Sequence, residues 1–190
     1  MRPLRRWWWR LRWWRLSGRL AGISVVVLDV DGVLTDGGLW YGPQGELTKR
    51  FDVRDGLGIR LLQQAGLEVV FLSGGRGGAT EVRAQQLGIQ HCFVGAKDKL
   101  VALADLQQRL GVADAQIAFV GDDVNDLAVQ GMVGLLLATA DAAAPLRRRA
   151  DAVLLRPGGS GAVRELAERL LQVRGQWAEL CRTGWRDRND

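Results

Sequence analysis

Histidine occurs once in the 190 residues, at His91, and cysteine twice, at Cys92 and Cys181. The two cysteines are far apart and in no Cys-x-x-Cys spacing, which argues against a zinc site of nitrogen and sulfur ligands. So few cysteines, with no regular pairing, fit a reducing compartment such as the cytoplasm. No stretch joins a charged start to a long uncharged apolar run, so neither a signal peptide nor a membrane span is expected. Acidic residues are missing from the first twenty positions, which carry seven arginines; subtracting these from the net +5 of the whole leaves −2 for the rest. That body has no basic stripe apart from Arg147-Arg148-Arg149, which reads as the solvated end of a helix, so nucleic acid is not expected as a partner. The length suits one domain with a real core, and no repeat or second domain is visible.

What is present concentrates where apolar runs end. Val25-Val26-Val27-Leu28 leads into Asp29-Val30-Asp31-Gly32-Val33-Leu34-Thr35. A continuous apolar run is the pattern of a strand buried on both faces of a parallel sheet, and ligands bind off the carboxyl ends of such strands. Residues i and i+2 of an extended chain point to one side, so Asp29 and Asp31 converge on one small electrophile. Two carboxylates this close repel each other unless a cation or a shared proton intervenes, and a bound metal is inferred. Oxygen ligands and a phosphate suit magnesium. A second run, Ile117-Ala118-Phe119-Val120, ends in Gly121-Asp122-Asp123-Val124-Asn125-Asp126 and supplies the remaining acids.

The rest of the pattern alternates. A strand is expected over Ser24–Val30, a hairpin from Trp40-Tyr41 and Leu47–Phe51 around Gly42-Pro43-Gln44-Gly45, and a helix over Asp55–Ala65 stopped by Gly66. Then come a strand at Glu68–Leu72, a helix at Ala79–Leu87, a short strand at His91–Val94, a helix at Lys99–Leu110 and a strand at Gln116–Val120. A short helix from Asp126, strands near Val133–Leu137 and Ala152–Leu155, and a last helix over Ala162–Leu180 complete it. This is an α/β chain with a doubly wound parallel sheet, a small β-hairpin and no cap domain.

With both acidic clusters in hand, the chain resembles the haloacid dehalogenase superfamily. Asp29 to Thr35 looks like its first motif and Gly121 to Asp126 like its fourth. Ser73-Gly74 at the end of a strand looks like the second, and Lys99 at the start of a helix like the third. Gly37-Gly38-Leu39-Trp40-Tyr41, Lys49 to Gly58 and Gly158 to Glu165 resemble the capless phosphatases of that superfamily that act on 3-deoxy-D-manno-octulosonate 8-phosphate. The likeness spans about Ile23 to Leu180. It departs from the group at Gly75, which stands where the second motif commonly carries arginine; Arg76 follows it.

The resemblance implies roles. Asp29 is the nucleophile that forms an aspartyl phosphate, and Asp31 protonates the leaving alkoxide and then activates water. Magnesium is held by Asp29, the Asp31 main-chain carbonyl and Asp122. Ser73, Gly74, Arg76 and Lys99 serve the phosphate, with Lys99 preferred over Lys97 because it directly precedes the apolar helix. Asp123 and Asp126 orient Lys99 and the metal waters. Arg54 and Asp55 are expected at the substrate mouth, with a capping role at the helix start as the competing reading. A homotetramer is implied, with hairpins and the Gly158–Glu165 segment meeting adjoining sites. The substrate is a small sugar-acid phosphate; a nonulosonate 9-phosphate is the alternative, and a non-catalytic module of the same fold the more distant one.

Two features stand apart. His91 beside Cys92 reads as packing in a strand. The division of the chain is expected to be 1–20, an Arg/Trp-rich extension without order, then 21–180, the phosphatase domain, then 181–190, a tail. An arm of this composition also suits contact with an anionic membrane surface.

Overall fold

The computed structural model describes residues 12–45 and 47–185. In chain order the elements are α1 (Ser17–Ala21), β1 (Val25–Leu28), β2 (Trp40–Tyr41), β3 (Leu47–Thr48), α2 (Val53–Gln64), β4 (Glu68–Leu72), α3 (Ala79–Gln86) and β5 (His91–Phe93). There follow α4 (Lys99–Leu110), β6 (Ile117–Gly121), β7 (Leu135–Ala138), α5 (Ala144–Arg149), β8 (Ala152–Val153), α6 (Ala162–Val173) and α7 (Trp177–Thr183).

All four side chains of β1 are buried, because the strand lies in the middle of the sheet, paired in parallel with β4 on one side and β6 on the other. Alternate side chains of a strand point to opposite faces. Val26 and Leu28 meet Ile59 and Leu62 of α2 and Leu166 and Leu170 of α6. Val25 and Val27 meet Leu103 and Leu106 of α4 and Leu146 of α5. With helices on both faces no position of the strand can be polar, so the sequence shows a continuous apolar run instead of alternation.

The sheet order is β5-β4-β1-β6-β7-β8, all parallel, with β2–β3 as a separate antiparallel hairpin. From β1 the chain winds outward through β4 to β5, then crosses back over β1 to β6 and winds the other way. The strand order therefore reverses between β1 and β6, and a crevice opens at their carboxyl ends. Nothing larger than the hairpin is inserted between β1 and α2, so the doubly wound, capless architecture is the one observed.

Several boundaries differ from expectation, each for a local reason. The last helix ends at Val173 and resumes as α7, because Gly175 adopts a positive φ of 72°. The helix after the hairpin starts at Val53, where the Asp52 side chain accepts the Arg54 N–H. The turn after β6 is 3-10 helix over Val124–Val129 instead of α-helix, and the hairpin strands are only two residues each.

Part of the segment expected to lack order belongs to the core. Residues 12–15 and α1 are helical, and Trp13, Leu16 and Leu20 are buried in the core with Leu166 and Leu170. Arg12 donates to the Ala150 carbonyl at 2.6 Å and also to that of Asp151, and Arg19 Nη1 lies 2.6 Å from Asp151 Oδ1. The packed body thus begins by residue 12, not 21; residues 1–11 and 186–190 lie outside the described residues.

Candidate active site

The main chain of Asp29 continues the ladder of β1, its N–H donating to the Val120 carbonyl at 3.0 Å. Its carboxylate is buried, with Oδ1 accepting the Val30 N–H at 2.7 Å and Oδ2 lying 2.9 Å from Lys99 Nζ. Lys99 enters from the first position of α4, which Asp98 caps by accepting from Leu100 and Val101. It also donates to Asp126 Oδ1. Asp126 is fully buried, and its Oδ2 accepts the N–H groups of Asp122 at 2.8 Å and Asp123 at 3.3 Å. Asp126 therefore fixes both the lysine and the loop after β6.

Asp29, Asp122 and Asp126 each bring a carboxylate oxygen within 4.8 Å of the others. Gly32 permits this approach: its φ is +85°, and a Cβ there would stand 2.0 Å from Asp122 Oδ2. Burial, with the charge of Asp126 added, raises Asp29 to about 6 against the opposing pull of Lys99. Burial and the charges of Asp29, Asp126 and Asp123 raise Asp122 to about 7. For Lys99, burial works to lower the pKa, but Asp29 and Asp126 outweigh it and the net shift is upward. Three carboxylates against one ammonium leave excess negative charge in a crevice, the condition a hard divalent cation relieves. The oxygens of Asp126 already meet Lys99 and two N–H groups, so Asp29 and Asp122 are the pair suited to hold it.

Asp31 lies on the other side of Asp29 along the chain and is partly exposed. Lys49 Nζ is 2.8 Å from its Oδ1 and 2.9 Å from its Oδ2. Ser73 ends β4, its side chain buried, and its Oγ accepts the Gly75 N–H at 3.1 Å. A Cβ built on Gly75 would lie 2.8 Å from Asp31 Oδ2 and 3.3 Å from Ser73 Oγ, so the hydroxyl and the carboxylate face the same small space. Gly74 beside them is exposed.

The remaining predicted residues are not gathered here. Asp55 is buried and serves α6 instead of the mouth: Oδ2 accepts the Gly161 N–H and Oδ1 the Arg164 N–H, each at 3.0 Å. Arg54 turns back on Asp52 with bonds of 3.0 and 2.7 Å, and it lines a cleft of about 390 Å³ with Arg156, Arg164, Arg169, Glu165 and Glu168 that includes none of Asp29, Asp31, Asp122 and Asp126. Arg76 and Lys97 are exposed, and Asp123 caps the 3-10 turn by accepting from Val124 at 2.7 Å. The Gly158–Glu165 segment docks on its own subunit. Gly159 N–H donates to the Val33 carbonyl at 2.9 Å, and Arg50 donates to the Gly159 carbonyl at 3.2 Å. Lys49 is the site residue to which the sequence assigns no role; it stands there only as the first residue of the Lys49 to Gly58 segment.

The model of the haloacid dehalogenase-like hydrolases matches residues 45–129. The 3-deoxy-D-manno-octulosonate 8-phosphate phosphatase of Escherichia coli (strain B / BL21-DE3) is 44% identical over 164 residues, covering 86% of this chain and 87% of its own. The crystal structure of the phosphatase of the same name from Yersinia pestis is 41% identical with a TM-score of 0.84, covering 86% of this chain and 88% of its own. That from Moraxella catarrhalis, in complex with magnesium ion, phosphate ion and a KDO molecule, is 33% identical with a TM-score of 0.86, covering 90% and 98%.

Proposed function

Because this chain belongs to the 3-deoxy-D-manno-octulosonate 8-phosphate phosphatase family of the haloacid dehalogenase-like hydrolases, we propose that it hydrolyses that phosphomonoester with magnesium as cofactor. The observation that carries the reading is the grouping of Asp29, Asp122, Asp126 and Lys99 at the sheet's switch point, with Asp31 and Ser73 beside it. The test is release of inorganic phosphate from the purified protein over a panel of sugar phosphates that includes a nonulosonate 9-phosphate. Preference for the octulosonate ester supports the reading, and preference for another sugar overturns the substrate while leaving the reaction.

In the proposed reaction an oxygen of Asp29 forms a bond to phosphorus as the bond from phosphorus to the sugar oxygen breaks. The proton of Asp31 passes to that leaving oxygen, which departs as the alcohol. Water then attacks the aspartyl phosphate; its proton goes to Asp31, phosphate leaves, and the Asp29 carboxylate is restored. Asp29 and Asp122, with the Asp31 main-chain carbonyl, would hold magnesium, which supplies charge neutralisation between the anionic nucleophile and the anionic phosphate. Lys99 lies 2.9 Å from the nucleophile and adds fixed positive charge on the same side. The oxygen of Ser73 accepts from Gly75, which leaves its proton for a phosphoryl oxygen.

A homotetramer belongs to the same reading. Leu39, Trp40 and Tyr41 of the hairpin are 44%, 70% and 70% exposed, a cluster of large apolar side chains beside an open crevice. Cytoplasmic location is supported by the two free cysteines; no helix among the described residues is long and apolar enough to cross a membrane. Peripheral contact with an anionic membrane is a separate element of the proposal. Its support is the arginine and tryptophan content of residues 1–15, of which Trp14 is 73% exposed.

A further inference from the structure

The two catalytic aspartates are each met by a lysine, and only one of these lysines is accounted for. Lys99 reaches Asp29 from α4. Lys49 reaches Asp31 from the residue that directly follows β3, at the root of the hairpin. Its side chain is only 1% exposed, although it carries a charge. An ammonium group has three N–H donors. Lys49 donates to Asp31 Oδ2 at 2.9 Å and to Thr80 Oγ1 at 3.2 Å, the latter also buried, while Asp31 Oδ1 lies 2.8 Å from the ammonium as an ion-pair contact without a hydrogen bond. With the side chain this deeply buried, no surface is open through which a substrate would reach the remaining donor. Whatever Lys49 does for the reaction it does through Asp31.

Asp31 needs such a partner. Asp29 is held by a backbone N–H as well as by its lysine. The Asp31 carboxylate is 31% exposed, faces the open crevice, and is gripped at its buried edge by Lys49. The space for this grip comes from Gly75, where a Cβ would stand 2.8 Å from Asp31 Oδ2 and 3.5 Å from Lys49 Nζ. Any larger residue at 75 would push Asp31 off the lysine unless the loop moved.

We infer that Lys49 is a positioning residue: it holds the Asp31 carboxyl where the leaving sugar oxygen departs and couples the acid–base group to the hairpin that projects from the body. This rests on the phosphatase reading above. A side chain held at one edge by a hydrogen bond to Oδ2 and an ion pair with the same ammonium keeps a single rotamer, and proton transfer to a departing oxygen needs that orientation at the moment of bond cleavage.

The experiment is a comparison of leaving groups. The ratio kcat/KM reports steps up to the first irreversible one, here the breaking of the bond to the leaving oxygen. A sugar alkoxide must be protonated as it leaves, whereas p-nitrophenolate is stable without a proton. In Lys49→Met, kcat/KM for the octulosonate phosphate is expected to fall by about 10²–10³-fold, mainly through kcat, and that for p-nitrophenyl phosphate by less than about threefold. Adding Lys49→Met to Asp31→Asn should cost the sugar phosphate no more than Asp31→Asn alone. Equal losses on both substrates, no loss on either, or full additivity of the two substitutions would each overturn the inference. If Lys49→Met does not fold, Thr80→Val takes its place, since it loosens the lysine without removing it; the same selective loss, smaller in size, is expected, and an unselective one counts against the inference. A wild-type protein that hydrolyses p-nitrophenyl phosphate but not the octulosonate ester overturns the substrate reading alone, and the comparison then runs with glycerol 2-phosphate as the alkyl ester.

Discussion

Asp29 and Asp122 sit in the folded protein with pKa values of about 6 and about 7, against 3.8 for a free aspartate, and the direction of these shifts makes a prediction about metal and pH. A raised folded-state value means that the native protein holds these protons more tightly than the unfolded chain does. The stabilisation from the cluster is therefore complete below about pH 4 and is lost as the pH rises through about 6 to 7 in the absence of metal. Magnesium replaces the protons, so the rise in Tm on adding saturating magnesium should be larger at about pH 8 than at about pH 5.5, where protons compete for the same oxygens. Thermal unfolding with EDTA and with magnesium at both pH values checks this, and equal shifts would remove these carboxylates from the metal site. Asp29→Asn should lower turnover by on the order of 10⁴-fold or more, as loss of a nucleophile does. It should not lower Tm at pH 8, because it removes a buried charge that Asp126 and Asp122 repel.

At the scale of the element, α6 is organised from outside itself. Asp55, on α2, accepts two of its first N–H groups, and removing a buried acceptor leaves each donor unpaired at about 1–3 kcal/mol. Asp55→Ala should lower Tm by several degrees while KM measured well below Tm stays near the wild-type value; a KM raised tenfold with Tm unchanged would return Asp55 to the substrate. The amino-terminal helical turns make a second case. Removing residues 1–11 should leave Tm unchanged within a few degrees. Removing 1–20 deletes Trp13, Leu16 and Leu20, each worth about 1.5–3 kcal/mol when fully buried, a sum comparable with the net stability of a domain. The longer truncation should therefore be poorly folded and inactive, as circular dichroism and phosphate release would show. For the same reason, cutting the chain after Arg156 should unfold it, since Val163, Leu166, Ala167 and Leu170 of α6 belong to the core.

For the whole molecule, the exposed hairpin is the feature that a monomer leaves unexplained. If Leu39, Trp40 and Tyr41 are covered by other subunits, light scattering should report a tetramer for the wild type. The pair Trp40→Ser and Tyr41→Ser should dissociate it at micromolar concentration with the core still folded. A monomer with full activity would mean that the crevice works uncovered. Binding to anionic vesicles, measured by co-sedimentation, should require residues 1–11 and weaken as salt is raised; binding unaffected by their removal would take the membrane contact away from the arm.

The sequence by itself determined the sheet and the meeting of its two aspartate clusters at one edge. Both rest on short, local patterns: an apolar run that must be covered on two faces, with aspartates at its end, as at Val25 to Asp31 and at Ile117 to Asp126. Lys99 was legible because it opens the helix that carries it to the same sheet edge. Tertiary structure alone decided the rest. That Asp55 ties down α6, that Lys49 holds Asp31, and that Trp13 and Leu20 are core follows from pairs separated by between 18 and more than 100 residues. A charged or aromatic side chain looks alike in sequence whether it faces water or a partner, and the crossover that brings β6 beside β1 decides which.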